Sequence, residues 1–346
     1  MDTIKITPYN LHFKQPAQTS RSILRHRKVY FVEAWNHQSP ERRGWGEIAP
    51  LDGLSPEGAD FHRIMSELAH STQPVSSLKK LTDYPAVRFG LEAAALDLAN
   101  GGKRIWFQGG FVHGSKPIAI NGLIWMGDKT SMFSQIKEKL KNGYPCLKLK
   151  IGGIDFEEEV SLLRFIRSEF STKDLELRLD ANGSFDPNDA TEKLKRLSAF
   201  DIHSIEQPIA PGQQDTMARL CSENIIPIAL DEELIGIKSP LEKEQLLKTI
   251  QPHYLIFKPS LIGGIVETDQ YIALCKKQKT GWWITSALES NVGLNILAQY
   301  CYSLGVDQVQ GLGTGKLFTN NIKSPLREEK GLVLANPNGT WAELPS

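Results

Sequence analysis

The chain has 346 residues, with 40 Lys+Arg against 40 Asp+Glu and a formal net charge of zero. That balance offers no basic field to nucleic acid and no acidic tail, and no apolar run approaches the ~20 residues of a membrane span, so a soluble protein acting on a small molecule is expected, without nucleic-acid or membrane partners. The length suits one large barrel plus an accessory domain, and sets no oligomeric state.

Four cysteines, Cys146, Cys221, Cys275 and Cys301, show no CxxC spacing, and "MDTIKITPYN" lacks the charged and apolar regions of a signal peptide. A reduced, cytoplasmic protein is expected. Along the chain, "RKVYFVEAW" and "GWGEIAPL" read as strands and "PAVRFGLEAAALDLAN" as a helix rich in good helix formers, which together make an α+β domain over residues 1–115. From residue 116 the rhythm changes. Eight short apolar strand candidates follow, "PIAINGLIWM", "CLKLKIG", "LELRLDAN", "IHSIEQPI", "IPIALDEE", "YLIFKPSL", "WWITSALE" and "VQGLGTG". Helix patterns lie between them, among them "KTSMFSQIKEKLKNG" and "DPNDATEKLKRLSAF", the latter with Asp186 as cap and Pro187 in the first turn. This alternation is that of an α/β protein with a TIM-like barrel over 116–316. Residues 317–346 show no further strand and helix unit and are expected to return to the N-terminal domain.

In "CLKLK" strand alternation puts Leu147 and Leu149 on one face and Cys146, Lys148 and Lys150 on the other. Two lysines on a face otherwise expected to be buried call for a reason. Lys150, Asp180, Glu206, Asp231 and Lys258 all sit at or near the C-terminal ends of five consecutive strand candidates, where the active sites of such barrels lie. The acids are 26 and 25 residues apart (206 minus 180, 231 minus 206), one strand-helix repeat each time, and are expected to converge. Three inward carboxylates repel unless a cation lies among them, and an all-oxygen set suits Mg²⁺ better than zinc. The eight histidines offer no zinc-ligand spacing.

Each of these residues has a structural alternative. Asp180 can cap its loop, Glu206 can pair with Arg178, and Asp231 can cap the helix after "DEEL"; the coincidence at three successive strand ends favours the metal. A lone lysine would snorkel to solvent, but Lys148, Lys150 and Lys258 together point to chemistry. "GLGTGK" at 311–316 fails the phosphate-loop spacing and reads as a loop whose amides face a substrate anion. Trp282 and Trp283 read as packing residues on opposite faces of a strand. Ser286, inward by parity, and Glu289 beyond it line the site or cap the helix that starts near Val292.

"KLK" at 148–150, "DAN" at 180–182, "EQP" at 206–208, "DE" at 231–232 and "KPSLIGG" at 258–264 resemble the enolase superfamily, in the subgroup with muconate-lactonizing enzyme, over essentially the whole barrel. Within it, "INGLIWMG", "RFGLEAAALDL" and "GLGTGKLF" resemble the o-succinylbenzoate synthase family of menaquinone biosynthesis. The resemblance implies a modified TIM barrel of the (β/α)7β type with an N-terminal α+β capping domain. It implies Mg²⁺, or another divalent cation such as Mn²⁺, on Asp180, Glu206 and Asp231. Lys150 and Lys258 would be the acid/base pair, with Lys148, Asn182, Ser286 and Glu289 in support. The implied reaction is Mg²⁺-dependent syn dehydration of 2-succinyl-6-hydroxy-2,4-cyclohexadiene-1-carboxylate to 2-succinylbenzoate, a lyase reaction on a small carboxylate.

In that chemistry Lys150 takes the α proton and returns it to the leaving hydroxide, Lys148 tunes Lys150, and Lys258 stabilises the enolate by charge. Dipeptide epimerisation or N-succinylamino acid racemisation would use the same half-chemistry. Those enzymes typically carry an Asp-x-Asp pair at the last strand, where this chain has "GLGTGKLF". A non-catalytic binding barrel is a third reading, set against five costly charges at strand ends. Specificity is expected in the capping-domain segments Gln15 to Arg25 and Leu51 to Glu57.

Overall fold

The computed structural model describes residues 1–18, 23–70 and 81–345. The first three strands, β1 (Thr3–Gln18), β2 (Ile23–Asn36) and β3 (Ser39–Ile48), form an antiparallel sheet in that order. The "VYFV" run of β2 is buried on both faces: Tyr30 and Val32 join a core of the capping domain's own, whereas Val29 and Phe31 join the main core with the barrel. A sheet covered on both sides loses the apolar-polar alternation of a half-exposed one, which is why this run is continuous. The first face is covered by α1 (Phe61–Ala69) and α2 (Pro85–Ala99). β3 and α2 meet backbone to backbone, since a Cβ on Gly46 would lie 2.0 Å from the Gly90 carbonyl oxygen. Only glycine permits that approach.

The barrel begins with β4 (Ile118–Ala119) and β5 (Gly122–Ile124), followed by α3 (Lys129–Lys141), which Asp128 caps by accepting from the Ser131 amide. Then come β6 (Cys146–Lys150), α4 (Phe156–Glu169), β7 (Glu176–Asp180), α5 (Ala190–Ser198), β8 (Ser204–Glu206) and α6 (Gln214–Glu223). The second half runs β9 (Ile228–Leu230), α7 (Pro240–Ile250), β10 (Tyr254–Phe257), α8 (Pro259–Ile262), α9 (Gly264–Gln278), β11 (Gly281–Ile284) and α10 (Asn291–Ser303). Among the described residues, seven strands pair in parallel in sequence order from β5 to β11. The eighth wall is reduced to single bridges, Thr285 to Gly311 and Ile120 to Gln310, which close the ring. Each strand is short and each return is a helix, as the right-handed βαβ rule requires. The fold is thus a modified TIM barrel with an N-terminal capping domain.

Two local details refine the sequence reading. Asp186 caps the chain's entry into α5, its side chain accepting from the Asn188 amide at 2.8 Å and its carbonyl from the amides of Asp189 and Ala190, so that a tight turn through Pro187 leads into the regular helix from Ala190. Beyond residue 317 the chain does carry strands, the antiparallel hairpin β12 (Leu326–Glu329) and β13 (Leu332–Ala335), and β13 extends to β4 at the barrel's start. The same segment also reaches the capping sheet, where Phe318 bridges Phe13 and the Asn320 side chain accepts from the His12 amide.

The capping domain is pinned to α10 by Glu47, which is fully buried and accepts from the Ser290 amide (2.8 Å), the Ser290 hydroxyl (2.5 Å) and the Gly293 amide (2.7 Å). It satisfies the orphan donors of a helix N-terminus from another domain. Burial outweighs those bonds and pushes the Glu47 carboxyl up to about 7 from its ordinary 4.5. Between those pH values the folded state holds a proton that the unfolded state has lost, so stability falls as pH rises through the window, by about 3 kcal/mol in all. Glu47→Gln is therefore expected to flatten the decline in Tm between about pH 5 and pH 8. Thermal unfolding of both proteins across that range is the measurement, and equal slopes would place the titration elsewhere.

Candidate active site

Strand register brings the charged residues to one level. Lys150 lies beside Asp180, Asp180 beside Glu206, and Glu206 beside Ala229, with Asp231 two residues further on. Their side chains form an alternating series. The Lys150 Nζ donates to Asp180 Oδ2 at 3.0 Å, and the Lys148 Nζ lies 2.9 Å from the same oxygen and 2.5 Å from Glu206 Oε2. Lys258 pairs with Asp231 and lies 3.8 Å from Glu206 Oε1. Neither oxygen of Glu206 accepts a well-formed hydrogen bond, although Lys148 and Lys258 lie beside it. All three acids are buried.

The charges shift one another. Burial would raise the Asp180 carboxyl, but Lys148 and Lys150 beside it hold it well below the usual carboxylate range. For Glu206 burial wins, reinforced by Asp180 and Asp231, and pushes it up to about 8. Asp231 is likewise raised by burial, against the pull of Lys258. Burial would lower Lys148 and Lys258, yet Asp180 and Glu206 raise the first and Asp231 and Glu206 the second, and both stay charged. As the side chains stand, ammonium groups lie between the carboxylates, and no group of three or more acids, histidines or cysteines among the described residues is arranged to hold a metal ion.

The competing structural roles are filled only in part. Asp180 does cap its loop, accepting from the Asn182 amide at 3.1 Å. Arg178 does not reach Glu206: it donates to Glu176 and the Val309 carbonyl and stacks 4.1 Å over the Trp283 ring, inside the barrel. Asp231 makes no side-chain cap. Asn182, held at a left-handed φ of 46°, accepts from Lys150 Nζ at 2.7 Å and donates to Glu232 at 3.1 Å. Ser286 donates to Glu289 at 2.7 Å, and Ser260, two residues after Lys258, donates to the other Glu289 oxygen at 2.6 Å. Thr314 of the "GLGTGK" loop donates to Ser286 at 2.8 Å. Ser290, rather than Glu289, caps α10.

Lys148, Lys150, Lys258, Asp180, Asn182 and Ser286 open into a cleft of about 930 Å³, mouth included, between the barrel and the capping domain, whereas Glu206, Asp231 and Glu289 are buried and are not among its lining residues. Leu24, Leu51, Asp52 and Leu54 line it from the capping domain. Both segments expected to carry specificity thus reach the site, although residues 19–22 lie outside the described residues. Sequence reading missed Asn121 and Thr285, cleft-lining residues whose Asn121 Oδ1 and Thr285 Oγ1 are buried without a protein partner. Inward parity on the first and seventh strands was the available signal. It also missed Gln207, which ties β8 to β9 by accepting from the Asp231 and Glu233 amides.

Such a barrel, capped by an N-terminal α+β domain and carrying acids and lysines at successive strand ends, defines a member of the enolase superfamily. Residues 131–338 match the family described as enolase C-terminal domain-like, and residues 1–98 match the MenC N-terminal domain. The chain is 44% identical to the o-succinylbenzoate synthase of Desulfotalea psychrophila over 94% of this chain and 96% of that protein, and 27% identical to the Bacillus subtilis one over 86% and 82%. The crystal structure of MenC from Desulfotalea psychrophila superposes with a TM-score of 0.85 at 39% identity, covering 96% of this chain and 99% of that one. The L-Ala-D/L-Glu epimerase of Bacillus subtilis shares the fold, with a TM-score of 0.79 at 17% identity over 96% of this chain and 95% of that one. The chain belongs to the o-succinylbenzoate synthase family, a family of hydro-lyases within this superfamily.

The closing bridge of the barrel offers a direct test of how tightly the site is packed. A Cβ on Gly311 would lie 2.4 Å from Thr285 Oγ1 and 2.9 Å from Thr285 Cγ2. Gly311→Ala is expected to destabilise the chain by ~1–3 kcal/mol through forced displacement of Thr285. Urea unfolding gives the value, and wild-type stability would mean that Thr285 turns aside freely.

Proposed function

We propose that the chain catalyses the Mg²⁺-dependent syn dehydration of 2-succinyl-6-hydroxy-2,4-cyclohexadiene-1-carboxylate to 2-succinylbenzoate in menaquinone biosynthesis. The observation that carries the reading is the unequal setting of the two outer lysines, Lys150 between a carboxylate and an amide, Lys258 paired with Asp231. Asp180, Glu206 and Asp231 would hold Mg²⁺, with Mn²⁺ as a substitute. They fit it as oxygen-only donors, buried together, with both Glu206 oxygens free of hydrogen bonds. The chemistry that the cation supplies when bound is stabilisation of the negative charge that develops on the substrate carboxylate as the α proton leaves.

In this reading Lys150 accepts the α proton at Nζ, and the ammonium so formed passes a proton to the departing hydroxyl on the same face, releasing water as the ring becomes aromatic. Asn182 aims that amine. Lys148 stays an ammonium between Asp180 and Glu206, and Lys258 contributes positive charge to the other side of the ring. Ser286 and Glu289 fix the wall that follows β11. The enzyme is read as cytoplasmic, in keeping with four free, buried cysteines. Epimerase or racemase activity would need proton transfer at Lys258 as well.

Two sets of variants test the roles, with turnover followed by absorbance as the cyclohexadiene becomes aromatic, with and without EDTA. Asp180→Asn, Glu206→Gln and Asp231→Asn are each expected to abolish Mg²⁺-dependent turnover in a folded protein, and full activity in any one would remove that residue from the metal site. Lys150→Ala should lose ~10² to 10⁴ in rate. Lys258→Arg should retain measurable dehydration, because guanidinium keeps the charge without serving as a base. Equal loss in both, with rapid wild-type α-proton exchange of a dipeptide in D₂O, would favour the epimerase.

A further inference from the structure

Arg27 of β2 is buried, 3% exposed, and none of its four hydrogen bonds goes to an acid. It donates instead to four backbone carbonyls in two domains. In the capping domain these are Pro50 and, at 2.7 Å, Ala49, where the chain leaves β3. In the barrel they are Ala287 at 3.1 Å and Leu288 at 3.4 Å, just past β11. Each pair of carbonyls is followed or accompanied by residues that line the cleft: Leu51 and Leu54 on one side, Ala287 and Leu288 on the other.

The capping-domain side is a preformed turn, in which the Leu54 and Ser55 amides donate to the Leu51 carbonyl and the Ser55 hydroxyl accepts from the Leu51 amide at 2.7 Å. Being closed on itself, this turn can move as a unit about Ala49 and Pro50, and the guanidinium holds that pivot. The barrel side is no freer to choose its place: Leu288 adopts a left-handed φ of 66°, a conformation that a bulky side chain keeps only when its surroundings impose it. Arginine suits the task because its planar fork carries five donors in fixed directions, where lysine has three on a flexible stem.

We propose that Arg27 is a positioning residue for substrate binding, locking the Leu51–Leu54 turn of the capping domain to the Ala287–Leu288 turn of the barrel so that the apolar wall of the cleft is already in place when substrate arrives. Arg27 touches none of the charged groups at the strand ends, so its effect falls on binding rather than on proton transfer. The inference rests on the dehydratase reading for its substrate and on the structure alone for the lock.

The test uses Arg27→Lys, which keeps a charge in the buried site, and Arg27→Met, which removes it. Dehydration kinetics, Mg²⁺ activation and hydrogen exchange of residues 49–55 without substrate are measured for each. For Arg27→Lys a KM raised about tenfold is expected, from lost charge-assisted hydrogen bonds, with kcat within about twofold of wild type. The Mg²⁺ activation constant should be unchanged and exchange at 49–55 faster; Arg27→Met should show the same pattern more strongly. If Arg27→Met does not fold, Arg27→Lys carries the test alone. Unchanged KM with unchanged exchange in Arg27→Lys overturns the proposal, as does a loss of kcat and Mg²⁺ activation equal to the change in KM, which would make Arg27 a general scaffold residue. A wild-type chain that fails to dehydrate the cyclohexadiene refutes the functional reading instead, and the exchange at 49–55 then decides the lock by itself.

Discussion

Lys148 sits with its ammonium 2.9 Å from Asp180 and 2.5 Å from Glu206, and this buried contact governs what surrounds it. An uncompensated charge in a protein interior costs several kcal/mol, and removing one partner of a buried pair is more damaging than never having had the pair. Once Asp180 and Glu206 face the barrel axis side by side, either a cation lies between them or one of them holds a proton, and Lys148 supplies the cation. The parallel register makes the adjacency unavoidable, because Asp180 and Glu206 are direct neighbours across β7 and β8. Extending the series outward to Lys150 on one side and Lys258 and Asp231 on the other lets every charge touch an opposite one.

A barrel mouth of this kind is open to water, so the capping domain is as much a part of the site as the strands. Its attachment is polar as well as apolar. Glu47 binds the start of α10, and Arg27 binds the turn after β11. On the far side of α2, Arg88 pairs with Glu267 at 3.0 Å while Glu92 accepts from the Ile265 amide at 2.7 Å. Directional bonds at several points restrict rotation of one domain on the other in a way that the apolar contacts of Val29 and Phe31 alone would not. The chemistry can therefore be held by the barrel while the shape of the cleft is held by the cap.

Legibility in the sequence followed the range of the interactions. The alternation in "CLKLK" and the even spacing of Asp180, Glu206 and Asp231 are local or periodic, and they led to the right face of the right strands. The continuous run "VYFV" was legible as a strand, but its two-sided burial depends on a barrel that has not yet been read at that point in the chain. Asp186 looked like a cap because its residue type and the following proline fit one, and its side chain does cap the turn that leads into α5. The β12–β13 hairpin pairs a polar, part-exposed strand, "LREE", with a short apolar one, "LVLA", and its pairing with β4 joins segments more than two hundred residues apart. Arg27 gave no signal, because an arginine that serves carbonyls has no partner residue type to search for.

The two lysines of β6 differ in a way that alternation could not show. Lys148 has a side chain 6% exposed and is flanked by two carboxylates, whereas Lys150, at 12%, has one carboxylate and the neutral amide of Asn182. An ammonium fully matched by two acids is held in its charged form and contributes a fixed field. Lys150, with one acid and one dipole beside it and lining the cleft, can change partners without leaving two buried carboxylates uncompensated. In the proposed reaction the proton-transferring role falls on the position where charge matching is incomplete, and Lys148 makes that imbalance tolerable by carrying the structural load one step deeper in the barrel.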